Sequence, residues 1–260
     1  MIVRAALRLK GREEPYGAAL AYPLYAWLLS MIPHEEGDRM HEQGIRPVSQ
    51  YVWHDHKAQE DWWIVNLLND EAIALFLPVL EQVKEADLHR QTIRFGMRQI
   101  ERIDSAQAFI QRAHALPEAK RYEFLFSAPT SFKQNGRYVI FPQEALILQS
   151  LVGHWNLCYP EVTLDDPDAM QAILRGVYIT DYKLQTLRHS LKQTRIPSFI
   201  GKVVLDVRLP APLAEVFRTL YCFAPYAGMG IKTALGMGGV QIASQQHSCD
   251  GMDSVNKENS

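Results

Sequence analysis

Apolar residues alternate with polar or small ones along Arg4-Ala5-Ala6-Leu7-Arg8-Leu9, the two-residue period of a β-strand with one buried face. From residue 22 to 31 the apolar spacing becomes helical, and Pro33 stops it. Residues 47–53 and 62–68 read as strands, and Asp70-Glu71 open a helix that runs past Leu80 to Val83. Residues 92–103 alternate in places and complete a β-α-β-β-α-β unit. After a linker at Pro117-Glu118-Ala119-Lys120 the same order restarts: a strand at 122–126, then a hairpin signal at Asn135-Gly136 with 138–141 on its far arm. A helix at 143–155, strands at 177–182 and 203–209, a helix at 213–223 and a last strand at 240–243 complete it. The expectation is an α+β chain of two tandem ferredoxin-like modules, the RRM-like arrangement, at 1–118 and 119–246. A short polar tail at 247–260 is expected to be disordered.

Composition changes this picture little. A chain of 260 residues suits one large or two small domains. Cys158, Cys222 and Cys249 are scattered, so neither a disulfide framework nor a Cys-x-x-Cys metal pair is expected, which fits a reducing cytoplasm. Residues 1–4 lead straight into alternating sequence, so no signal peptide is expected, and no apolar run reaches membrane-spanning length. The net charge of −2 is unlike that of an indiscriminate nucleic-acid binder, yet its distribution is uneven. Between 175 and 208 the ionisable side chains are mostly basic, at Arg175, Lys183, Arg188, Lys192, Arg195, Lys202 and Arg208, opposed only by Asp181 and Asp206. That stretch is either a solvated face or a surface for an anionic polymer.

Residues 227–240 carry five glycines around one lysine and one threonine: Gly228, Gly230, Lys232, Thr233, Gly236, Gly238 and Gly239. A glycine-rich loop with a cation suits phosphate oxygens. It is not a P-loop, because Ile231 rather than glycine precedes Lys232-Thr233 and a helix precedes the loop. It is not the dinucleotide fingerprint, which opens a βαβ unit, whereas this loop closes the order of elements. A structural turn between helix and strand is the bland reading.

The segment Phe223-Ala224-Pro225-Tyr226-Ala227-Gly228-Met229-Gly230, continued by Lys232-Thr233 and Gly236-Met237-Gly238, resembles the C-terminal signature of the CRISPR-associated repeat-RNA endoribonucleases of the RAMP superfamily. Ala128-Pro129-Thr130-Ser131-Phe132, Phe141-Pro142 and Phe199-Ile200-Gly201 follow that family in order and spacing. His41-Glu42 with Arg46-Pro47-Val48-Ser49 resembles the segment carrying its active-site histidine. The resemblance implies an RNA-binding antiviral-defence nuclease that cuts precursor CRISPR RNA within its repeats. It implies no metal or other cofactor, and 2′,3′-cyclic phosphate and 5′-hydroxyl ends. The family's tyrosine and lysine positions are not matched in place. Leu29 falls where the helix tyrosine would stand, with Tyr25 one turn earlier, and Arg46 sits one residue closer to the histidine than the lysine would.

The chemistry is consistent with those residues. RNA supplies its own nucleophile, the 2′-hydroxyl, so a site needs a proton carrier near neutrality and a permanent cation at the phosphorane. His41 and Arg46 can serve those roles, with Tyr25 the weakest candidate. Gly228, Gly230, Lys232, Thr233, Gly236 and Gly238 would hold RNA backbone with Lys183, Arg188, Lys192 and Arg195. His54-Asp55-His56 offers only two ligands and reads as an exposed polar loop. Trp53, Trp62 and Trp63 read as core before base-stacking groups. The expected partner is CRISPR repeat RNA, with interference-complex subunits or a second copy as further candidates. A catalytically inactive repeat-binding subunit and a RAMP backbone protein coating guide RNA are the alternatives.

Overall fold

Strand β1 (Ile2–Lys10) is the centre of the first sheet. It pairs antiparallel with β3 (Glu60–Leu67) and with β5 (Gln91–Ile103). Strands β2 (Val48–Asp55) and β4 (Glu85–Leu88) flank these, giving the order β2-β3-β1-β5-β4. The computed structural model describes residues 1–10, 14–33, 35, 47–89, 91–117 and 119–242. Helices α1 (Ala21–Ser30) and α2 (Asp70–Gln82) cover one face. Asn69 caps α2 by accepting from the Ala72 amide, and Asp70 and Glu71 favour its positive end.

The two-residue period of β1 sorts its side chains. Val3, Ala5, Leu7 and Leu9 face the helices and join Leu24, Trp63 and Phe76 in the first core. Ala6, on the other face, meets Tyr51, Trp62 and Ile64 against Ala128 of the second module. Arg4 shares that face. Its guanidinium donates to Asn66 Oδ1 and to the Pro225 carbonyl, and lies 4.4 Å over the Tyr226 ring. The first sheet therefore has no solvated side here; it carries the second module on its back.

The second sheet repeats the plan. β6 (Arg121–Thr130) lies between β10 (Thr194–Val207) and β11 (Val240–Ile242), with β9 (Val177–Leu191) outside β10. Set aside β4 and the small hairpin β7 (Phe132–Gln134)–β8 (Arg137–Val139), and both sheets read fourth-first-third-second in order of appearance. Two ferredoxin-like modules in tandem are what the chain builds. Helices α4 (Glu144–Cys158), α5 (Pro167–Gly176) and α6 (Ala211–Ala227) contribute to the second core, around Trp155, Phe199 and Phe223.

Three features depart from the sequence expectation. The run after β5 forms helix α3 (Ala106–Ala115), capped by Ser105, whose Phe109 packs on Trp155, Tyr159, Phe223 and Tyr226 of the second core. The strands expected at 177–182 and 203–209 are the bases of one long hairpin, β9–β10. Helix α5 follows an Asp166 cap with Pro167 at its first position, a start signal that had not been used. The expected tail at 247–260 and the segment with His34, His41 and Arg46 lie outside the described residues.

Candidate nucleic-acid interface

Most of the glycine-rich loop faces inward. Helix α6 ends at Gly228, and the chain then doubles back so that Met229 N–H donates to the Gly238 carbonyl at 2.8 Å. The Ile231 amide donates to the Ser131 carbonyl and the Gly238 amide to the Pro129 carbonyl, at 2.9 and 3.0 Å. The Gly230 amide donates to Ser150 Oγ on α4. The segment 128–132 is thus the hydrogen-bonding partner of the loop, a physical reason for the two motifs to occur together. The Gly228, Gly230 and Gly238 amides, expected to face phosphate, are already used, and Gly228, Thr233, Gly236 and Gly238 are buried.

The glycines are needed for close approach. Gly236 has φ +94, and a Cβ there would stand 2.4 Å from Ala21 Cβ of α1. Gly238 has φ +72, and its Cβ would stand 2.2 Å from the Met229 carbonyl oxygen. Across the module boundary, Gln50 Nε2 donates to the Ala21 and Ala234 carbonyls while its Oε1 accepts from Trp63 Nε1. Gln50 is wholly buried and had not been singled out. A lone glutamine within the strand pattern was its only signal.

What the loop leaves outside is a ridge at Gly230, Ile231 and Lys232, of which Lys232 is exposed and left-handed, with φ 58. The β9–β10 hairpin runs past it. Leu191 and Ile196 near the hairpin's tip pack with Met237 of the loop, and Tyr22 and Ile231 pack against them. Lys192, in the turn, holds its ammonium 5.7 Å over the Tyr22 ring. Cross-strand register puts Arg195 opposite Ser190 and Arg188 opposite Pro197, so the two arginines share one face. Lys183 sits opposite Lys202 on the other face, roughly 17 Å from Arg188 along the strand. The structure therefore brings Lys192 beside the loop that carries Lys232, sets Arg188 and Arg195 on the hairpin face turned away from Leu191 and Ile196, and leaves Lys183 further down. Lys133 in β7, not anticipated, is exposed on the far side of the loop.

His41 and Arg46 lie outside the described residues. The elements on either side are fixed to the loop: α1 through Ala21 against Gly236, and β2 through Gln50 bonded to Ala234. Tyr25, expected near the histidine, is instead a core residue of the first module at 1% exposure. It sits on the face of α1 that meets the sheet, because its spacing from Leu24 and Leu28 keeps it on that apolar stripe.

The remaining candidates resolve as structure. Trp62 and Trp63 are buried, Trp63 stacking on Phe95 at 5.8 Å. His54 closes β2 roughly 20 Å from Val48 at its start. Its Nδ1 lies 2.9 Å from Asp61, and its ring meets that of His56 edge-on at 4.7 Å. Among the described residues no three His, Cys, Asp or Glu side chains converge to hold a metal ion, and no helix is long and apolar enough to cross a membrane.

The chain thus builds a doubled ferredoxin-like fold closed by a glycine-rich loop, with a lysine- and arginine-bearing hairpin resting on that loop. Residues 124–240, which span the second sheet and the loop, match the CRISPR-associated endoribonuclease Cas6 family. The endoribonuclease Cas6 of Streptococcus thermophilus is 27% identical over 228 residues, covering 87% of this chain and 93% of the relative. Cas6 of Mycobacterium tuberculosis is 24% identical, covering 88% and 74%. Among solved structures, a Cas6 product complex superposes with a TM-score of 0.75 at 22% identity, covering 93% of this chain and 99% of that one. Thermus thermophilus Cas6 gives 0.70 at 21% identity, covering 93% and 98%. The chain is thus similar to CRISPR-associated endoribonucleases over most of its length, the likeness that the loop signature suggested.

Proposed function

We propose that this protein is an endoribonuclease that binds CRISPR repeat RNA and cleaves precursor CRISPR RNA within each repeat. The observation that carries this reading is the match of 124–240 to the Cas6 family, supported by the likeness of the whole described chain to Cas6–RNA complexes. RNA backbone lies along Lys232, Arg188, Lys192 and Arg195. His41 exchanges the proton of the 2′-hydroxyl or of the leaving 5′-oxygen, and Arg46 neutralises the phosphorane. The nucleophile belongs to the substrate, so the reaction proceeds without metal and leaves 2′,3′-cyclic phosphate and 5′-hydroxyl ends. Along the chain we place the boundary between the modules at 118/119, with helix α3 on the near side lying against the second core.

Incubation with the host's repeat RNA in excess EDTA tests this directly. Cleavage at one position, lost on 2′-deoxy substitution there and reduced on the order of 10²-fold in His41→Ala at nearly parental affinity, is the expected result. Activity that vanishes in EDTA and returns with Mg²⁺ overturns the mechanism. The burial of Tyr25, with leucine at position 29, favours a second reading: a non-catalytic repeat-binding subunit of an interference complex. Tight repeat binding with no cleavage by the parent protein would establish it. Interference-complex subunits or a second copy are the further partners either reading admits.

A further inference from the structure

Helix α4 carries a glycine near its middle, Gly153, where glycine costs helical stability relative to alanine. Packing does not account for it: a Cβ at Gly153 would meet no heavy atom within 4 Å. Gly153 opens instead onto a cleft of about 540 Å³ between α4, β7 and the glycine-rich loop. Leu146 lines the cleft, Lys133 stands on its β7 side, and Gly230 and Lys232 form its loop side. The volume falls in the usual range for a small-molecule-sized ligand, about 300–1,000 Å³.

His154 sets the polarity of this cleft. Its Nδ1 lies 2.8 Å from the Ser150 carbonyl oxygen, one turn earlier in α4. A carbonyl only accepts, so Nδ1 carries the hydrogen. Burial holds the imidazole pKa below its ordinary 6.5, which leaves the ring neutral at pH 7 with Nε2 as a bare acceptor. A neutral acceptor in a cleft flanked by two ammonium groups does not suit an anion alone. It suits a ligand with a flat, donor-bearing group inside and phosphates outside.

We propose that the cleft between α4, β7 and the glycine-rich loop takes one unpaired nucleotide of the bound RNA, its base over Gly153 donating to His154 Nε2 and its phosphates beside Lys133 and Lys232. This rests on the RNA-binding reading above and adds a base-contacting pocket on the opposite side of the loop from the β9–β10 hairpin. Every base offers an amino or imino donor on its Watson–Crick edge, so the pocket selects for an unstacked base before it selects among bases. The absent side chain at Gly153 is what lets the base lie against the helix.

The test is an abasic scan along the host's CRISPR repeat RNA, with affinity measured for parent, Gly153→Leu, Gly153→Ala and His154→Phe proteins. Gly153→Leu fills the cleft and removes a helix glycine, so its Tm should equal or exceed the parental value. It should bind repeat RNA roughly tenfold or more weakly, the scale of one lost base contact. One unpaired position should be found where abasic substitution weakens the parent comparably but scarcely affects Gly153→Leu or His154→Phe. Gly153→Ala should bind between the parent and Gly153→Leu, since its single methyl intrudes on the base less than a leucine does. Parental affinity in Gly153→Leu, or losses that simply add at every position, overturns the pocket while leaving RNA binding intact. A parent protein that binds no repeat RNA overturns the functional reading itself.

Discussion

The glycine-rich loop and the β9–β10 hairpin were both marked by sequence as RNA-binding, and their construction is opposite. In the loop, glycines permit positive φ and let α1, α4 and the 128–132 segment approach within hydrogen-bonding or van der Waals distance; its amides are largely consumed in doing so. In the hairpin, side chains of Arg188, Lys192 and Arg195 stand in solvent and the backbone serves only to space them. Glycine density here reports backbone meeting backbone. It need not report amides awaiting a ligand. The loop fixes the relative position of the two modules, and the hairpin, resting on the loop through Leu191 and Ile196, inherits that position.

The largest effect should come from breaking the loop. Gly236→Val forces a β-branched residue into φ +94 and drives its Cβ into Ala21. Backbone strain of about 1–3 kcal/mol and overpacking of similar size act together. Chemical denaturation should show a loss of roughly 3 kcal/mol or more. A Gly236→Val protein of parental stability would mean the loop is not the lock described. Gln50→Leu should follow at about 2–4 kcal/mol, since it strands the Trp63 N–H and removes the Gln50 amide from the Ala21 and Ala234 carbonyls in a buried interior. If Gln50→Leu unfolds like the parent, water reaches that junction and the interface is looser than its hydrogen bonds indicate.

Legibility in the sequence follows the same division. Elements with long buried stretches were readable, by helical spacing or by an extended apolar run: β1, β2, β3 and helices α1, α2, α4 and α6 all fall near their expected bounds. The middle of the β9–β10 hairpin was not readable. Residues 180–188 are exposed or half-exposed on both faces, so no alternation marks them, and only the buried base at 177 and 203–205 gave a signal. Strand β4 is four residues with one buried side chain, Ala86, too short for any period. Helix α3 was overlooked although Ser105 caps it and Ala106, Phe109 and Ala113 share a face. For the site, residue types were legible from the loop and basic run, but which of them face outward was not. That depended on tertiary pairing with Pro129, Ser131 and Ala21.

Breaking the hairpin chemically should leave stability alone and act on RNA. Arg188→Ala with Arg195→Ala removes two neighbouring cations from one exposed face. The log–log salt slope of repeat-RNA affinity should fall by about 1.4, at roughly 0.7 per single-strand phosphate contact. Lys232→Ala should remove about 0.7, and Lys183→Ala much less, because it lies on the other face and further from the hairpin's tip. A Lys183→Ala effect equal to that of Arg188→Ala would show that RNA contacts both faces of the hairpin rather than the arginine face alone. Unchanged slopes in the double arginine variant would place the RNA elsewhere altogether.

The smallest effect concerns the seam where hairpin and loop meet. His189 shares a strand face with Leu191, which packs on Met237, and burial lowers its imidazole pKa from 6.5. The unfolded chain takes up a proton as pH falls through about 6.5, whereas the folded chain resists doing so until lower pH. Stability is therefore full above pH 6.5 and declines as the pH drops toward the folded value, with His154 adding in the same direction. Urea midpoints at pH 7.5 and 5.5 measure this. His189→Gln cannot titrate, so it should lose less stability between those two values than the parent, the residual loss belonging largely to His154. A parental pH dependence in His189→Gln would mean that the imidazole is free to protonate in place. The hairpin would then be only loosely seated on the loop, and its arginines would owe their position to the strand pairing alone.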